Sequence, residues 1–274
     1  MVSYGADLGK GFELKAYVPP TGKNPTDLLF HDMFDTEVRS LFGQYSVDLS
    51  DVTELSIEAR YDRESRSVDN LVPPVAAALY YGGGDPINPA MASVGDTIDS
   101  RSTTFDQFQP KFSITTNAGN TSYYASYGYG FRSGGFNSTG SAATTDFWLN
   151  SGNPFGLGVV GAGISVNDEF DKEVSRAFEV GFKGTYLDGR LAMNGAYFNT
   201  NVTDNQFFEF FAGPWGLLRV VTTIDELDIS GYELDFKYAV TDNLKIDGAF
   251  GITDGEIKEN AHRPSTIGND APLA

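Results

Sequence analysis

The feature that most constrains the fold of this chain is an alternation of apolar and polar residues with a period of two. Between residues 54 and 62, odd positions carry Leu, Ile, Ala and Tyr, and even positions carry Glu, Ser, Glu, Arg and Asp. Successive side chains of a strand point to opposite faces, so this segment is predicted to be a strand with one apolar face. The pattern returns at four places, which begin near Tyr123, Phe178, Leu234 and Leu244.

Eight strands are predicted from this alternation and from the turn residues between them. Their predicted ranges are 37–49, 53–69, 105–116, 121–136, 173–187, 190–209, 217–240 and 244–257. Tight turns such as Asp188-Gly189 alternate with long segments rich in Gly, Asn, Ser and Pro, at about 70–104 and 137–172. Residues 1–35 are less regular. We expect them to form an extracellular loop region, with a second loop at 258–274.

The two kinds of connection predict where the strands sit. Short turns at one end and long loops at the other are typical of an antiparallel, up-and-down transmembrane β-barrel. The predicted strands have ten or more residues, enough to cross the hydrocarbon layer at a tilt. The alternative is a soluble β-sandwich, which predicts strands of about five or six residues and similar loops at both ends. The unequal loops favour the all-β barrel.

Composition excludes several classes of function. There are 19 Lys and Arg against 37 Asp and Glu, a net charge of −18, so we expect no nucleic-acid partner. There is no cysteine, and the two histidines, His31 and His262, lie in turn-like sequence. We therefore expect no metal site and no cofactor. No pair of carboxylates stands out as an acid–base dyad, so we do not expect an enzyme.

One segment resembles a known family closely. Residues 123–137 read YYASYGYGFRSGGFN, which resembles the "YAS…GFRSGGFN" stretch in the barrel of TonB-dependent outer-membrane receptors. Weaker similarities follow in the family's order, at FDQFQPK (105–111), EVRSLFGQ (37–44), ARYDRE (59–64), FEVGFK (178–183) and ISGYE (229–233). Together they extend over about residues 36–257, which we interpret as part of such a barrel.

The resemblance implies a location, a ligand and partners. Members lie in the bacterial outer membrane among its lipids and take up a scarce small molecule, most often a ferric siderophore or another iron complex; relatives take vitamin B12, haem or oligosaccharides. TonB supplies the energy by acting on an N-terminal plug. Neither the plug nor the TonB box is recognisable in this sequence, and the last residues are not an aromatic-ended strand. We therefore expect an internal fragment, with about eight strands of the roughly 22 in such transporters.

Two functions of other classes remain open at this point. The chain could be a complete small barrel that acts as a passive pore or adhesin. It could also be a soluble all-β binding module.

Three residues are candidates for ligand contact. Arg132 falls on the polar register near the loop end of its strand, where it could meet an anionic ligand or the plug. It could instead form a salt bridge within the wall, with Glu179 as the expected partner. Trp148 and Trp215 fall in predicted extracellular loops, where they could stack on a ligand or pack within the loop.

The predicted sidedness can be tested on the intact receptor. Tight turns of outer-membrane barrels face the periplasm and long loops face outward. A protease site inserted near Asn150 should therefore be cleaved on whole cells, and one inserted near Asp188 should be protected. The opposite cleavage pattern would contradict this topology.

Overall fold

The computed structural model describes residues 30–72, 88–93, 95–150, 164–213 and 216–260. Most of the described residues are in strands. The strands are β1 (Asp32–Ser50), β2 (Thr53–Asn70), β3 (Arg101–Ala118), β4 (Thr121–Arg132), β5 (Gly135–Phe136), β6 (Glu169–Phe170), β7 (Glu173–Tyr186), β8 (Leu191–Gly213), β9 (Gly216–Ala239) and β10 (Lys245–Glu259). One short helix, α1 (Ser141–Thr145), is followed by a π-helical turn at Asp146–Asn150. Among the described residues no helix is long and apolar enough to cross a membrane.

Eight strands form one antiparallel sheet in the order β1-β2-β3-β4-β7-β8-β9-β10. Each strand of this sheet pairs with its neighbours along the chain, apart from the two-residue β5 and β6, which pair with each other. The sheet is open, which confirms the prediction of a partial antiparallel barrel. A complete small barrel would pair β1 with β10, and the described residues show no such pairing. A sandwich would need short strands, whereas these have 12 to 24 residues.

The strand bounds differ from the predicted ones at the loop ends. β3 begins at Arg101 rather than at 105, because it continues to pair with β2 as far as Val68. β4 ends at Arg132 rather than at 136, since Gly135 and Phe136 leave the large sheet to form β5. Both predicted loop ranges, 1–35 and 258–274, lie largely outside the described residues. The strands β1 and β10 extend a few residues into them.

One face of the sheet carries a continuous apolar surface. The register aligns Ile57, Phe112, Tyr127 and Phe178 in a single row across β2, β3, β4 and β7. Their exposed fractions lie between 37% and 46%, although side chains of this kind are normally buried. Soluble proteins rarely expose contiguous apolar surface on this scale, whereas a membrane barrel turns it toward lipid. This face is called the apolar face below.

Glycine lets aromatic rings lie flat on the apolar face. Tyr123, Phe182 and Gly195 are direct neighbours on β4, β7 and β8. A Cβ atom on Gly195 would come within 2.5 Å of the Phe182 ring, so the ring occupies the space that a side chain would take. This packing places Phe182 firmly on the apolar face.

The opposite face, called the polar face, is held by hydrogen bonds between side chains. Asp62 accepts hydrogen bonds from Arg60 Nε at 2.7 Å and from Gln109 Nε2 at 2.5 Å, and its side chain is only 6% exposed. Further along the sheet, Tyr124 Oη donates to Glu179 at 2.6 Å, and Lys183 lies 5.7 Å from the centre of the Tyr124 ring. These charged groups are therefore partnered within the wall.

A small inner layer covers the loop end of the polar face. It consists of residues 133–150 and 164–172 and is called the mouth cap here. β5 pairs with β6 within it, and α1 lies between them in sequence. The buried apolar residues of the described part of the chain are Val68, Val72, Met91, Phe105, Phe136, Val166, Val202, Leu218 and Val220.

The assignment of faces predicts different outcomes for two adjacent residues. Phe182→Arg puts a cation on the apolar face, which costs about 2–4 kcal/mol at the middle of a bilayer. Lys183→Gln changes a group on the polar face at nearly the same depth. We expect Phe182→Arg to reduce the amount of folded receptor in the outer membrane and Lys183→Gln to leave it unchanged. Normal assembly of Phe182→Arg together with failure of Lys183→Gln would reverse the assignment of faces.

Candidate functional site

The candidate site is the mouth of the sheet, where the mouth cap meets β4, β7, β8 and β9. Arg132 ends β4 here, directly opposite Glu173, the first residue of β7. Its guanidinium donates to Glu173 Oε2 at 2.5 Å and to the Gln206 carbonyl at 2.6 Å. The same carboxylate accepts the Gln206 backbone N–H at 2.8 Å and the Asn205 amide at 3.1 Å. Arg132 thus ties three strands together.

The prediction that Glu179 is the salt-bridge partner of Arg132 was wrong. Glu179 is paired with Ser126, six residues further down β4, and it accepts the Tyr124 hydroxyl instead. The register therefore decides which carboxylate Arg132 reaches. The Arg132 side chain is still 52% exposed, so a ligand can approach it from the solvent side.

The structure leaves the two tryptophans as predictions. Trp148 is part of the π-helical turn Asp146–Asn150 in the mouth cap, but its side chain lies outside the described residues. Trp215 itself lies outside them, between the ends of β8 and β9. The Trp148 backbone lies at the same end of the sheet as Arg132.

Two glycines after Arg132 let the mouth cap fold inward. A Cβ on Gly134 would lie 2.4 Å from the Phe170 carbonyl oxygen and 2.5 Å from the Phe105 ring, so only glycine fits there. The backbone can therefore leave the large sheet and pair as β5 with β6, as the Gly-Gly sequence predicts.

Asn137 fixes the mouth cap to β9. Its amide donates to the Val221 carbonyl at 2.9 Å and to the Asn167 carbonyl at 2.8 Å, and its oxygen accepts the Val221 N–H at 2.7 Å. The residue is only 5% exposed. The Asn137 side chain therefore satisfies both backbone groups of Val221, as a neighbouring strand would do. The last residue of the sequence FRSGGFN thus has a structural role that its position in the motif does not reveal.

Asp168 organises the other side of the mouth cap. Its carboxylate accepts the backbone N–H of Gly140 at 3.1 Å and of Ala142 at 2.8 Å, at the start of α1. Arg101 of β3 lies 3.4 Å from the same carboxylate. The mouth cap is therefore anchored on both β3 and β9.

An exposed aromatic pair on the outer part of β8 was missed at the sequence level. Phe208 and Phe210 are 57% and 53% exposed, and their ring centres are 5.5 Å apart at 80°. The Arg219 guanidinium of β9 lies 5.4 Å from the centre of the Phe208 ring. The signal was the aromatic run FFEFF (207–211), but the strand was predicted to end at 209. Glu209, between the two rings, borders a cleft on the side of the mouth cap, so both rings and Arg219 lie on the opposite, outer side of the wall.

Carboxylates line a small cleft beside these residues. It has a volume of about 60 Å³ and is bordered by groups that include Glu169, Asp171, Glu209 and Thr222. Burial raises the pKa of Glu209. Burial, followed by the charges of Asp171 and Asp225, raises the pKa of Asp204 nearby. The cleft is far smaller than the roughly 300–1,000 Å³ of a typical ligand pocket. Within the described residues, no group of three or more His, Cys, Asp or Glu side chains is placed to hold a metal ion.

The role of Asn137 can be measured in the intact receptor. Asn137→Ala leaves the buried backbone groups of Val221 unpaired, at a cost of about 1–3 kcal/mol for each group. We expect the mouth cap to loosen and trypsin to cut after Arg132 and Lys172 more quickly. Asn120→Ala, at an exposed position in the tight β3–β4 turn, is the control. Equal cleavage rates in the two variants would contradict the anchoring role.

Solved structures of similar fold cover most of this chain. The copper transporter OprC has a TM-score of 0.52 and 19% identity, over 82% of this chain and 30% of that chain. The ferric yersiniabactin uptake receptor FyuA from Yersinia pestis has a TM-score of 0.52 and 14% identity, over 84% and 28%. The siderophore receptor PiuA from Acinetobacter baumannii has a TM-score of 0.51 and 19% identity, over 83% and 27%. This chain thus spans less than a third of each.

The family model is matched over almost the whole chain. The model described as "TonB dependent receptor-like, beta-barrel" matches residues 2–273. This agrees with the open antiparallel sheet, with its apolar face and with the resemblance of residues 123–137. The chain therefore belongs to the TonB-dependent receptor family, as part of the β-barrel domain.

Proposed function

We propose that the intact protein is a receptor of the bacterial outer membrane that actively takes up a scarce small molecule with energy from TonB. The observation that carries this proposal is the family match over residues 2–273. The sheet supports it, because its apolar face suits lipid and its polar face suits a lumen. The family consists of receptors and transporters rather than enzymes, so the protein acts by binding and transport.

The ligand we propose is a ferric siderophore or another iron complex. The structures named above are a ferric yersiniabactin uptake receptor, a siderophore receptor and a copper transporter. Vitamin B12, haem and oligosaccharides are the alternatives among relatives. The half-exposed guanidinium of Arg132 at the mouth suits an anionic ligand better than an uncharged sugar. Arg132, Trp148 and Trp215 would contribute from the same end of the sheet.

Uptake by cells that carry the intact receptor tests the function. The probes are ferric complexes of a catecholate and of a hydroxamate siderophore, haemin, cyanocobalamin and a maltodextrin, each radiolabelled. We expect accumulation of a ferric siderophore that requires both the receptor and TonB. Accumulation of another probe alone would replace the proposed ligand. TonB-independent accumulation would overturn active transport.

The outward-facing aromatic pair is expected to leave ligand affinity unchanged. Truncating Phe208 and Phe210 to alanine removes two exposed rings from the outer side of the wall, away from the mouth cap. We expect the Kd for the transported probe to stay the same, as it should for Leu187→Ala, at an equally exposed position in the opposite turn. A rise of about fivefold or more in the double variant alone, worth about 1 kcal/mol, would place the rings in the binding site.

A further inference from the structure

The barrel wall contains a seam, because β3 and β4 pair over only part of their length. Their pairing runs from Ala118–Thr121 to Lys111–Gly128 and ends there. Beyond that point β3 continues along β2, and β4 continues along β7. The first β3 residue beyond the last pair is Pro110, which has no N–H to donate. The sequence thus accommodates the end of the ladder at this point.

A short segment of the mouth cap bridges the seam. The residues Asp168–Lys172, called the strap here, follow the polar face of β3 and lead directly into β7. Lys172 Nζ donates to the Asp106 carbonyl at 2.6 Å and to Gln107 Oε1 at 3.0 Å. Thr103 Oγ1 donates to Glu169 at 2.8 Å. Side-chain contacts thus bridge the two halves of the wall where the β3–β4 ladder has ended.

These bridges differ in kind from the contacts on the β9 side. Thr103–Glu169 is an exposed contact, and so is the bond from Lys172 to the Asp106 carbonyl. The ion pair between Asp168 and Arg101 of β3 is also partly exposed, with 34% of the Arg101 side chain accessible. Water can replace such contacts easily, whereas a strand ladder breaks only as a unit. On the β9 side, Asn137 is buried and makes two hydrogen bonds to the Val221 backbone. The polar contacts of the mouth cap are therefore buried on β9 and more exposed on β3.

We propose that the two hydrogen bonds of Lys172, called the latch here, keep this seam closed, and that the outer parts of β3 and β4 separate when these bonds break. Lys172 directly precedes β7, so it belongs to the β4–β7 half of the wall and holds the β2–β3 half by two hydrogen bonds. Separation widens the mouth on the β3 side while Asn137 holds the other side in place. The seam is a conformational device of the wall and does not depend on which ligand the receptor carries.

Two buried serines report on the seam and on the fully paired wall. Ser133 is 4% exposed and follows β4; had the β3–β4 register continued, it would lie opposite Asp106. Ser56 is 6% exposed and lies on β2, within the paired region. Serine to cysteine is nearly isosteric, and these 274 residues contain no cysteine. The labelling rate of each introduced thiol by a small methanethiosulfonate reagent, in outer-membrane vesicles that carry the intact receptor, measures opening at each place.

The test combines each reporter, Ser133→Cys or Ser56→Cys, with Lys172→Met. We expect this change to raise the labelling rate at residue 133 by about tenfold and to leave the rate at residue 56 unchanged, since local opening exposes only the groups at the seam. Lys183→Met is the matched control, because Lys183 is a polar-face cation of β7 far from the seam. It should change neither rate. Gln107→Ala removes one bond of the latch from the β3 side and should raise the rate at residue 133 by a smaller factor.

Two results would overturn the proposal. One is an unchanged labelling rate at residue 133 in both Lys172→Met and Gln107→Ala. The other is an equal rise at residues 133 and 56, which would mean general loosening of the sheet rather than opening of a seam. Should Lys172→Met reduce assembly, Gln107→Ala alone decides between these outcomes.

Discussion

The backbone hydrogen-bond ladder is the constraint on which the rest of this structure depends. A strand in lipid has no water to satisfy its N–H and C=O groups, so it must pair with neighbours along the whole crossing. Long antiparallel strands with tight turns at one end meet this requirement, and the sheet from β1 to β10 has this form. The register of the ladder also determines which side chains share a face. It places Ile57 beside Phe112 and Asp62 near Gln109.

The hydrogen-bond ladder between β3 and β4 ends below the mouth, where the mouth cap begins. Above Lys111 and Gly128, the large sheet divides and the mouth cap folds over its polar face. Glycines at 134 and 135 allow this change of direction, and Asn137 and Asp168 then satisfy backbone groups that no strand reaches. Loops on a rigid scaffold are where binding residues concentrate. The mouth cap therefore has buried hydrogen bonds to β9 and more exposed polar contacts with β3.

Most of the fold could be predicted because its pattern is local. Alternation within one strand requires only neighbouring residues, and the tight turns have a recognisable composition. The errors occur where distant residues compete for the same partner. Arg132 reaches Glu173 rather than Glu179 because of the β4–β7 register, which no single strand reveals. The pair Phe208–Phe210 was missed because β8 continues past the point where its sequence suggested an end.

The sequence by itself determined that the chain is all-β, that its strands have one apolar and one polar face, and that it resembles TonB-dependent receptors. These properties follow from side-chain periodicity and from a motif, both of which are readable along the chain. Only the tertiary structure decided which carboxylate holds Arg132, what Asn137 binds, and where β3 parts from β4. These contacts join residues 30 to 84 positions apart, and they depend on the register and on the inward path of the mouth cap.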